Sequence, residues 1–226
     1  SALPLARAIE LMNSERRLTD EKITQEALEQ MPDLNTEVST VVMQENWHKG
    51  VVGIVASRLI ESHYRPTVVL TASEDTLVGS VRSVRGFDVY EAIKACSEHL
   101  IQFGGHKYAA GLTMEKTNLV PFREAFEAAV IERILPEQLE PSMIYDTSIV
   151  FKEITPKLYR ILQQMAPFGP QNMRPVFHTR GVKDTGGTKV VGKDQTHLKL
   201  EVTDISGVSF SGMGFGRAPA TSPPTS

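Results

Sequence analysis

The sequence has little of several things that would give a chain a special setting. Among its 226 residues there is one cysteine, Cys96, and one tryptophan, Trp47. A lone thiol excludes an intrachain disulfide and a Cys-rich zinc site, and it fits a reducing, cytoplasmic location. No apolar run approaches the roughly 20 residues that span a bilayer, and no signal peptide precedes the first helix, so no membrane partner is expected. Charge of one sign is not in excess either: the formal net charge is −3. A protein that held nucleic acid by bulk electrostatics alone would be basic. Nucleic-acid contact must then come from a local patch, which tells against a non-specific DNA coat and leaves a phosphodiesterase cleft open.

Catalytic signatures are missing too. There is no Walker loop, no Ser/His/Asp set, no Asp-His-His and no Asp-x-Asp. The six histidines are scattered, without carboxylate partners at metal-ligand spacing. The chain by itself shows no catalytic centre and no metal site, and no cofactor is expected within it.

What is present is a soluble α/β pattern, with 41% hydrophobic and 23% charged residues. Leu5, Ile9 and Met12 recur at helical spacing, and Thr19-Asp20-Glu21 offers an N-cap for a second short helix running to Met31. From residue 38 the period changes. Buried strands are expected at 38–43, 67–71 and 77–83, and helices at 50–62, 87–100 and 121–135. Residues 104–114 read as a glycine-rich turn running into a strand. Alternation of this kind indicates an α/β domain, a mixed sheet flanked by helices. Pro136 and Pro141 punctuate a boundary. Beyond it come short strands at 144–151, 176–182, 187–191, 198–202 and 208–213, interrupted by one helix at 156–165. Gly186-Gly187 and Ile205-Ser206-Gly207 mark hairpins. A small OB-like β-barrel is the architecture such strands suggest, and such folds bind single strands on one face. The chain therefore parses as a helical connector at 1–35, an α/β domain at 36–137, an OB-like barrel at 138–216 that reads as cut short after Phe215-Gly216, and a disordered Ala/Pro/Ser/Thr tail at 217–226.

Three strings could carry chemistry. In Phe103-Gly104-Gly105-His106-Lys107-Tyr108-Ala109-Ala110-Gly111, adjacent glycines let a ligand approach the main chain, and successive N–H groups can form an anion-binding concavity. His106 offers a ring nitrogen to a phosphate or base. In Ser80-Val81-Arg82-Ser83, strand alternation sends Ser80 and Arg82 to one face, where a hydroxyl beside a guanidinium suits a terminal phosphate. The same string also fits an exposed polar strand end. In Trp47-His48-Lys49-Gly50, His48 precedes a helix whose N-terminal amides favour an anion, and Trp47 reads as a packing anchor. Asn13, Arg16 and Arg17 share about one helical turn, which by itself describes a solvated helix face. The turn at Pro167-Phe168-Gly169 reads as structural, anchored by Phe168. Lys189, Lys193, Lys199 and His197 could line a groove that tracks a nucleic-acid backbone, although exposed aromatics for stacking are scarce there.

The order of these signals resembles that in RecJ exonucleases of the DHH phosphoesterase superfamily. The similarity runs from Leu11-Met12-Asn13-x-x-Arg16, through Trp47-His48-Lys49-Gly50 to Ser57-Arg58-Leu59, then Ser80-x-Arg82-Ser83, then Gly104-Gly105-His106-x-x-Ala109-Ala110-Gly111. These strings are similar to the DHH-associated domain. Pro167-Phe168-Gly169-x-x-Asn172-x-x-Pro175-x-Phe177 resembles the start of the RecJ OB-fold. The glycine-histidine string sets the superfamily, and the OB-like segment narrows it. The resemblance implies a 5′-to-3′ exonuclease acting on single-stranded DNA in repair and recombination. It implies that Mn²⁺ or Mg²⁺ is held by a DHH domain outside this chain, so that the fragment alone is inactive. It assigns the 5′-terminal phosphate to Ser80 and Arg82, with Ser83 also binding substrate, and the scissile end to a catalytic His106 with the glycines Gly104 and Gly105 around it. It puts His48, Asn13 and Arg16 along the substrate path. Single-stranded DNA is the expected partner, with single-strand-binding protein and recombination helicases as protein partners. The rival readings are a nanoRNase-like phosphoesterase acting on short oligonucleotides, a stand-alone nucleic-acid-binding module, and an aminoacyl-tRNA deacylation domain.

Overall fold

A computed structural model of the chain describes residues 2–33, 35–193 and 195–217. The chain divides into two compact units, Ser1–Pro141 and Ser142–Ser226.

The first unit is built on a five-stranded sheet. Its elements are α1 (Ala2–Leu28), β1 (Thr40–Met43), α2 (Val52–His63), β2 (Thr67–Ser73), β3 (Thr76–Arg82), α3 (Val89–Ala95), β4 (Gln102–His106), β5 (Ala109–Glu115) and α4 (Leu119–Arg133). The strand order is β1-β2-β3-β5-β4. Only β1 and β2 run parallel, and α2 supplies the crossover that a parallel pair requires. The other pairs are antiparallel. Their sequences explain the layering. The β-branched runs Thr-Val-Val-Met and Thr-Val-Val-Leu are covered on both faces, whereas β5 alternates, burying Ala110, Leu112 and Met114. One face of the sheet packs those residues with Leu77 and Val81 against α3 and the α4 phenylalanines Phe122 and Phe126. The other face packs Val42 and Val69 against Val55 and Leu59 of α2, with Ile23 and Ala27 of α1 and Trp47. Among the described residues this second cluster includes none from β4 or β5. The α2 side of those two strands is therefore bare.

Two sequence expectations give way here. The N-terminal segment is one 27-residue helix, not two. Asp20, within the Thr19-Asp20-Glu21 string expected to cap the second helix, is buried and pairs with Arg58 of α2 at 2.6 Å. The Thr19 and Thr24 hydroxyls donate back to the Glu15 and Asp20 carbonyls, so a cation on a neighbouring helix and in-helix hydroxyl bonds remove the pressure to break. Likewise Gly104 and Gly105 lie inside β4 rather than in a turn, which falls instead at Lys107-Tyr108. Close strand approach is the reason. Gly105 has φ +148°, and a Cβ there would collide with the Ala109 carbonyl oxygen. Trp47 is the anchor the sequence suggested: it is buried, and its Nε1 donates to Glu26 of α1 at 2.7 Å.

The second unit comprises β6 (Thr147–Ser148), α5 (Pro156–Gln164), β7 (Phe177–His178), β8 (Lys183–Asp184), β9 (Lys189–Val191), β10 (His197–Thr203) and β11 (Ser209–Gly214). β10 organises it, pairing antiparallel with β11 along its whole length, with β9 at His197–Lys199 and with β8 at Val202 and Thr203. β6 and β7 form a separate parallel pair. The strand expected at 144–151 shortens to two residues and then tightens into a 3₁₀ turn at Phe151–Glu153. Glu153 satisfies the Val150 N–H in that turn. Phe151 meets Phe210 edge-to-face at 5.3 Å. Asn172 donates to the Met165 and Pro167 carbonyls and Arg174 lies over Phe168 at 5.4 Å, so this turn has the structural role read from its sequence. The tail expected to be disordered from 217 falls, at 218–226, outside the described residues. No described helix is long and apolar enough to cross a membrane.

Candidate nucleic-acid interface

The register of β3, β5 and β4 determines what shares the bare sheet face. Ser80 pairs with Gly111 and Gly111 with Gly104; Arg82 pairs with Ala109 and Ala109 with His106. Directly paired residues of antiparallel strands project to the same side. Two rows result, Ser80–Gly111–Gly104 and Arg82–Ala109–His106, each about 10 Å across because it crosses two strand spacings. Polar side chains stand at the rims and the floor between them is glycine or alanine. A Cβ on Gly104 would meet nothing within 4 Å, and one on Gly111 only the Gly79 carbonyl oxygen at 3.7 Å. The result is a flat, open trough, continuous with a depression lined by Gly79, Gln102, Phe103 and Thr113.

Arg82 is the charged feature of this trough. Its Nη1 donates to Ser80 Oγ at 2.8 Å and to the Val81 carbonyl at 2.9 Å. Burial alone pulls its pKa below the ordinary arginine value, and the guanidinium stays charged regardless. No carboxylate pairs with it among the described residues. A part-buried cation that meets only neutral oxygens is costly unless an anion completes it.

The first turn of α2 closes this end of the trough. Helix-start N–H groups, here those of Val52 and Gly53, have no intrahelical acceptor and carry the positive end of the helix dipole. Gly53 is the trough residue that its motif does not single out. A Cβ at this position would sit 2.8 Å from Arg82 Nη2 and 3.0 Å from Ser80 Oγ, so the missing side chain is what lets guanidinium, hydroxyl and helix amides meet. A glycine in the first turn of an otherwise branched, apolar helix was the available signal.

Two histidines are held in the same tautomeric sense. His106 Nδ1 accepts the Tyr108 N–H at 3.3 Å, and His48 Nδ1 accepts the Gly50 N–H at 3.1 Å. In each neutral ring Nε2 then carries the proton and faces outward as a donor. His106 stands in the trough row. His48 instead lines a separate recess of about 230 Å³ with Lys22, Glu26 and Asn46.

The other candidate residues distribute differently. Gly105 is spent on strand approach, as described above. The Ser83 hydroxyl donates to the Val84 and Phe87 carbonyls, committing it to the loop after β3. Asn13 and Arg16 are exposed on the outer half of α1, with no hydrogen bond to the trough among the described residues, and Arg17 is paired with Glu21. In the second unit, Lys189 pairs in register with Lys199, but Glu201 lies 3.3 Å from the Lys199 ammonium and accepts from the Ser211 hydroxyl. One strand thus carries both Lys199 and its neutraliser Glu201. Phe215, exposed and edge-on to His197 at 5.4 Å, supplies an aromatic that the sequence reading counted as scarce. Among the described residues no group of three or more His, Cys, Asp or Glu side chains gathers into a metal site.

Comparison with known proteins bears on the same regions. The DHHA1 domain family matches residues 35–132 and the RecJ OB domain family residues 145–225. The chain is 31% identical to the single-stranded-DNA-specific exonuclease RecJ of Bacillus subtilis over 89% of its own length and 26% of the relative's. For the Escherichia coli RecJ the identity is 29%, over 90% of this chain and 36% of the relative. It therefore spans about a quarter to a third of the length of these curated relatives. The crystal structure of Thermus thermophilus RecJ in complex with Mn²⁺ superposes with a TM-score of 0.78 at 24% identity, over 99% of this chain and 32% of that one. A manganese-bound exonuclease RecJ superposes at 0.54 and 29% identity, over 61% and 34%.

Proposed function

The chain belongs to the RecJ family, carrying a DHHA1 domain followed by a RecJ OB domain, and on that premise we propose that it is the DNA-holding part of a 5′-to-3′ single-strand exonuclease. In this reading the 5′-terminal phosphate docks at the Ser80–Arg82 end of the trough. The guanidinium and the α2 amides supply positive charge, and Ser80 supplies a neutral hydrogen bond. The glycine floor lets the strand lie against the sheet without a side-chain barrier. His106 Nε2–H donates to a phosphate oxygen two strands away, toward the scissile end. Ser83 holds the loop that follows β3. Asn13, Arg16 and His48 border the incoming strand, and the OB domain guides it. Phosphodiester hydrolysis with Mn²⁺ or Mg²⁺ belongs to a DHH domain outside these residues, so this chain alone binds without cutting. A short-oligonucleotide phosphoesterase accounts less well for residues 145–225, which match the RecJ OB domain.

The observation that carries the proposal is Arg82, charged, part-buried and without a carboxylate partner among the described residues. Its test is fluorescence anisotropy with labelled single strands bearing a 5′-phosphate or a 5′-hydroxyl, at two salt concentrations. The parent chain is expected to prefer the phosphate. Arg82→Ala is expected to weaken the phosphorylated strand by about 10- to 100-fold, the equivalent of losing one charged hydrogen-bonding partner. The 5′-hydroxyl strand is expected to bind equally to both proteins. Equal phosphate affinities in parent and variant would remove Arg82 from the site.

A further inference from the structure

Tyr108 has a fixed main chain and a half-exposed side chain. Its N–H donates to His106 Nδ1 at 3.3 Å, and its carbonyl accepts the Ser83 N–H at 3.0 Å. The carbonyl of Lys107, its partner in the β4–β5 turn, accepts the Val89 N–H at 3.1 Å. The turn is thus tied to the end of β3 and the start of α3. The residue, in contrast, is 51% exposed. The Lys107 ammonium lies 5.7 Å from its ring centroid. An aromatic held this firmly with half of its surface left in solvent contributes less to folding than a buried one, because burial is the source of its stabilising energy.

Its location suggests a use. Tyr108 sits between His106 and Ala109, and Ala109 pairs directly with Arg82. Its main chain is therefore one strand spacing and one residue from that of Arg82, steps of about 5 and 3.4 Å. We propose that Tyr108 is a stacking platform for the 5′-terminal base, so that the strand end is recognised by its base as well as by its phosphate. This deepens the reading above and rests on Arg82 taking the terminal phosphate. The ligand is any nucleobase, since each offers a π-face and stacking discriminates weakly among them. Lys107 adds a positive charge beside the ring for the adjoining backbone. Backbone anchoring matters for the energetics, because a pre-set ring loses little freedom when a base settles on it.

The experiment compares two 5′-phosphorylated single strands, identical except that one is abasic at its 5′-terminal nucleotide. The parent chain is expected to bind the intact strand about fivefold more tightly, the low end for one stacked base. Tyr108→Ala is expected to abolish that difference and Tyr108→Phe to keep it. A Tyr108→Ala protein that still distinguishes the strands like the parent overturns the proposal, as does a parent that does not distinguish them. The 5′-phosphate over 5′-hydroxyl preference is measured on the same proteins. Its survival in Tyr108→Ala shows a folded trough, and its absence from the parent sinks the phosphate reading, a failure separable from that of the stacking platform.

Discussion

The two units are each built on a sheet, with opposite amounts of core. The first unit buries large side chains on both faces of its sheet, among them Phe122, Phe126, Leu59 and Trp47. In the second, the buried residues among those described are Phe151 and Asp204. A guanidinium that must be held short of any carboxylate needs rigid walls, because desolvation has to be enforced by packing. A surface that follows a strand of any sequence can be shallow, with polar bonds such as those of Asp204 supplying what little order it needs. The contrast links depth of core to precision of recognition, if the first unit reads a terminus and the second follows a backbone as proposed above.

Core truncation should break this contrast most strongly. Phe126→Ala removes a fully buried ring and is expected to cost about 3–5 kcal/mol. Phe210→Ala in the second unit removes a half-buried ring and should cost about 1 kcal/mol. Trp47 is the single tryptophan and is buried in the first unit, so its fluorescence in urea reports that unit. Phe126→Ala should move that transition to markedly lower urea while Phe210→Ala leaves it in place. Equal shifts for both would show that the units do not differ in the way their cores suggest.

The same contrast explains what was legible in the sequence. The apolar periods of β1, β2, α2 and α4 were plain, because hydrophobic burial outweighs every other demand on those positions, and those elements fall within a few residues of expectation. The row of Ser80 and Arg82 followed from alternation alone. Gly53 did not, because its role depends on which strand lies beneath α2. The single α1 helix was equally hidden: Asp20 has the chemistry of a cap, and only the position of Arg58 tells that it is an ion-pair partner. The strands of the second unit were most legible at β10 and β11, where alternating Leu198, Leu200 and Val202 face one side, and β9 also falls within the strand expected at 187–191. β8, two residues long with Lys183 and Asp184, exists by pairing with the end of β10 and leaves no apolar trace.

A second, smaller effect sharpens the point that the trough is fixed by backbone. Gly105→Ala puts a methyl group against Ala109 and Ala110 main-chain atoms, which have nowhere to move without parting β4 from β5. The expected cost is about 1–3 kcal/mol, the range for backbone forced into or held in an unfavoured conformation. Amide hydrogen exchange should locate it, with protection lost first at the β4–β5 pair and retained at β1 and β2. Uniform loss across the sheet would mean that the glycine matters to the whole unit rather than to the trough.

The smallest expected effect lies in the second unit and tests whether its order comes from polar bonds. Burial raises the Asp204 pKa, but the Ser206 hydroxyl and the N–H groups of Phe151 and Ser206 all donate to the carboxylate and together hold it below the usual value. A carboxylate with a depressed folded pKa contributes stability that is present above its unfolded pKa, about 3.9, and is lost as pH falls through the lower, folded value. The amide of Phe151, which donates to Asp204 at 2.6 Å, should report this directly. Its proton shift should titrate with a midpoint below about 3.9, and Asp204→Asn should abolish the titration while opening the Phe151 turn to exchange. A midpoint above that of a free aspartate would mean that burial outweighs the donors, and the second unit would then owe its order to the Phe151–Phe210 contact instead.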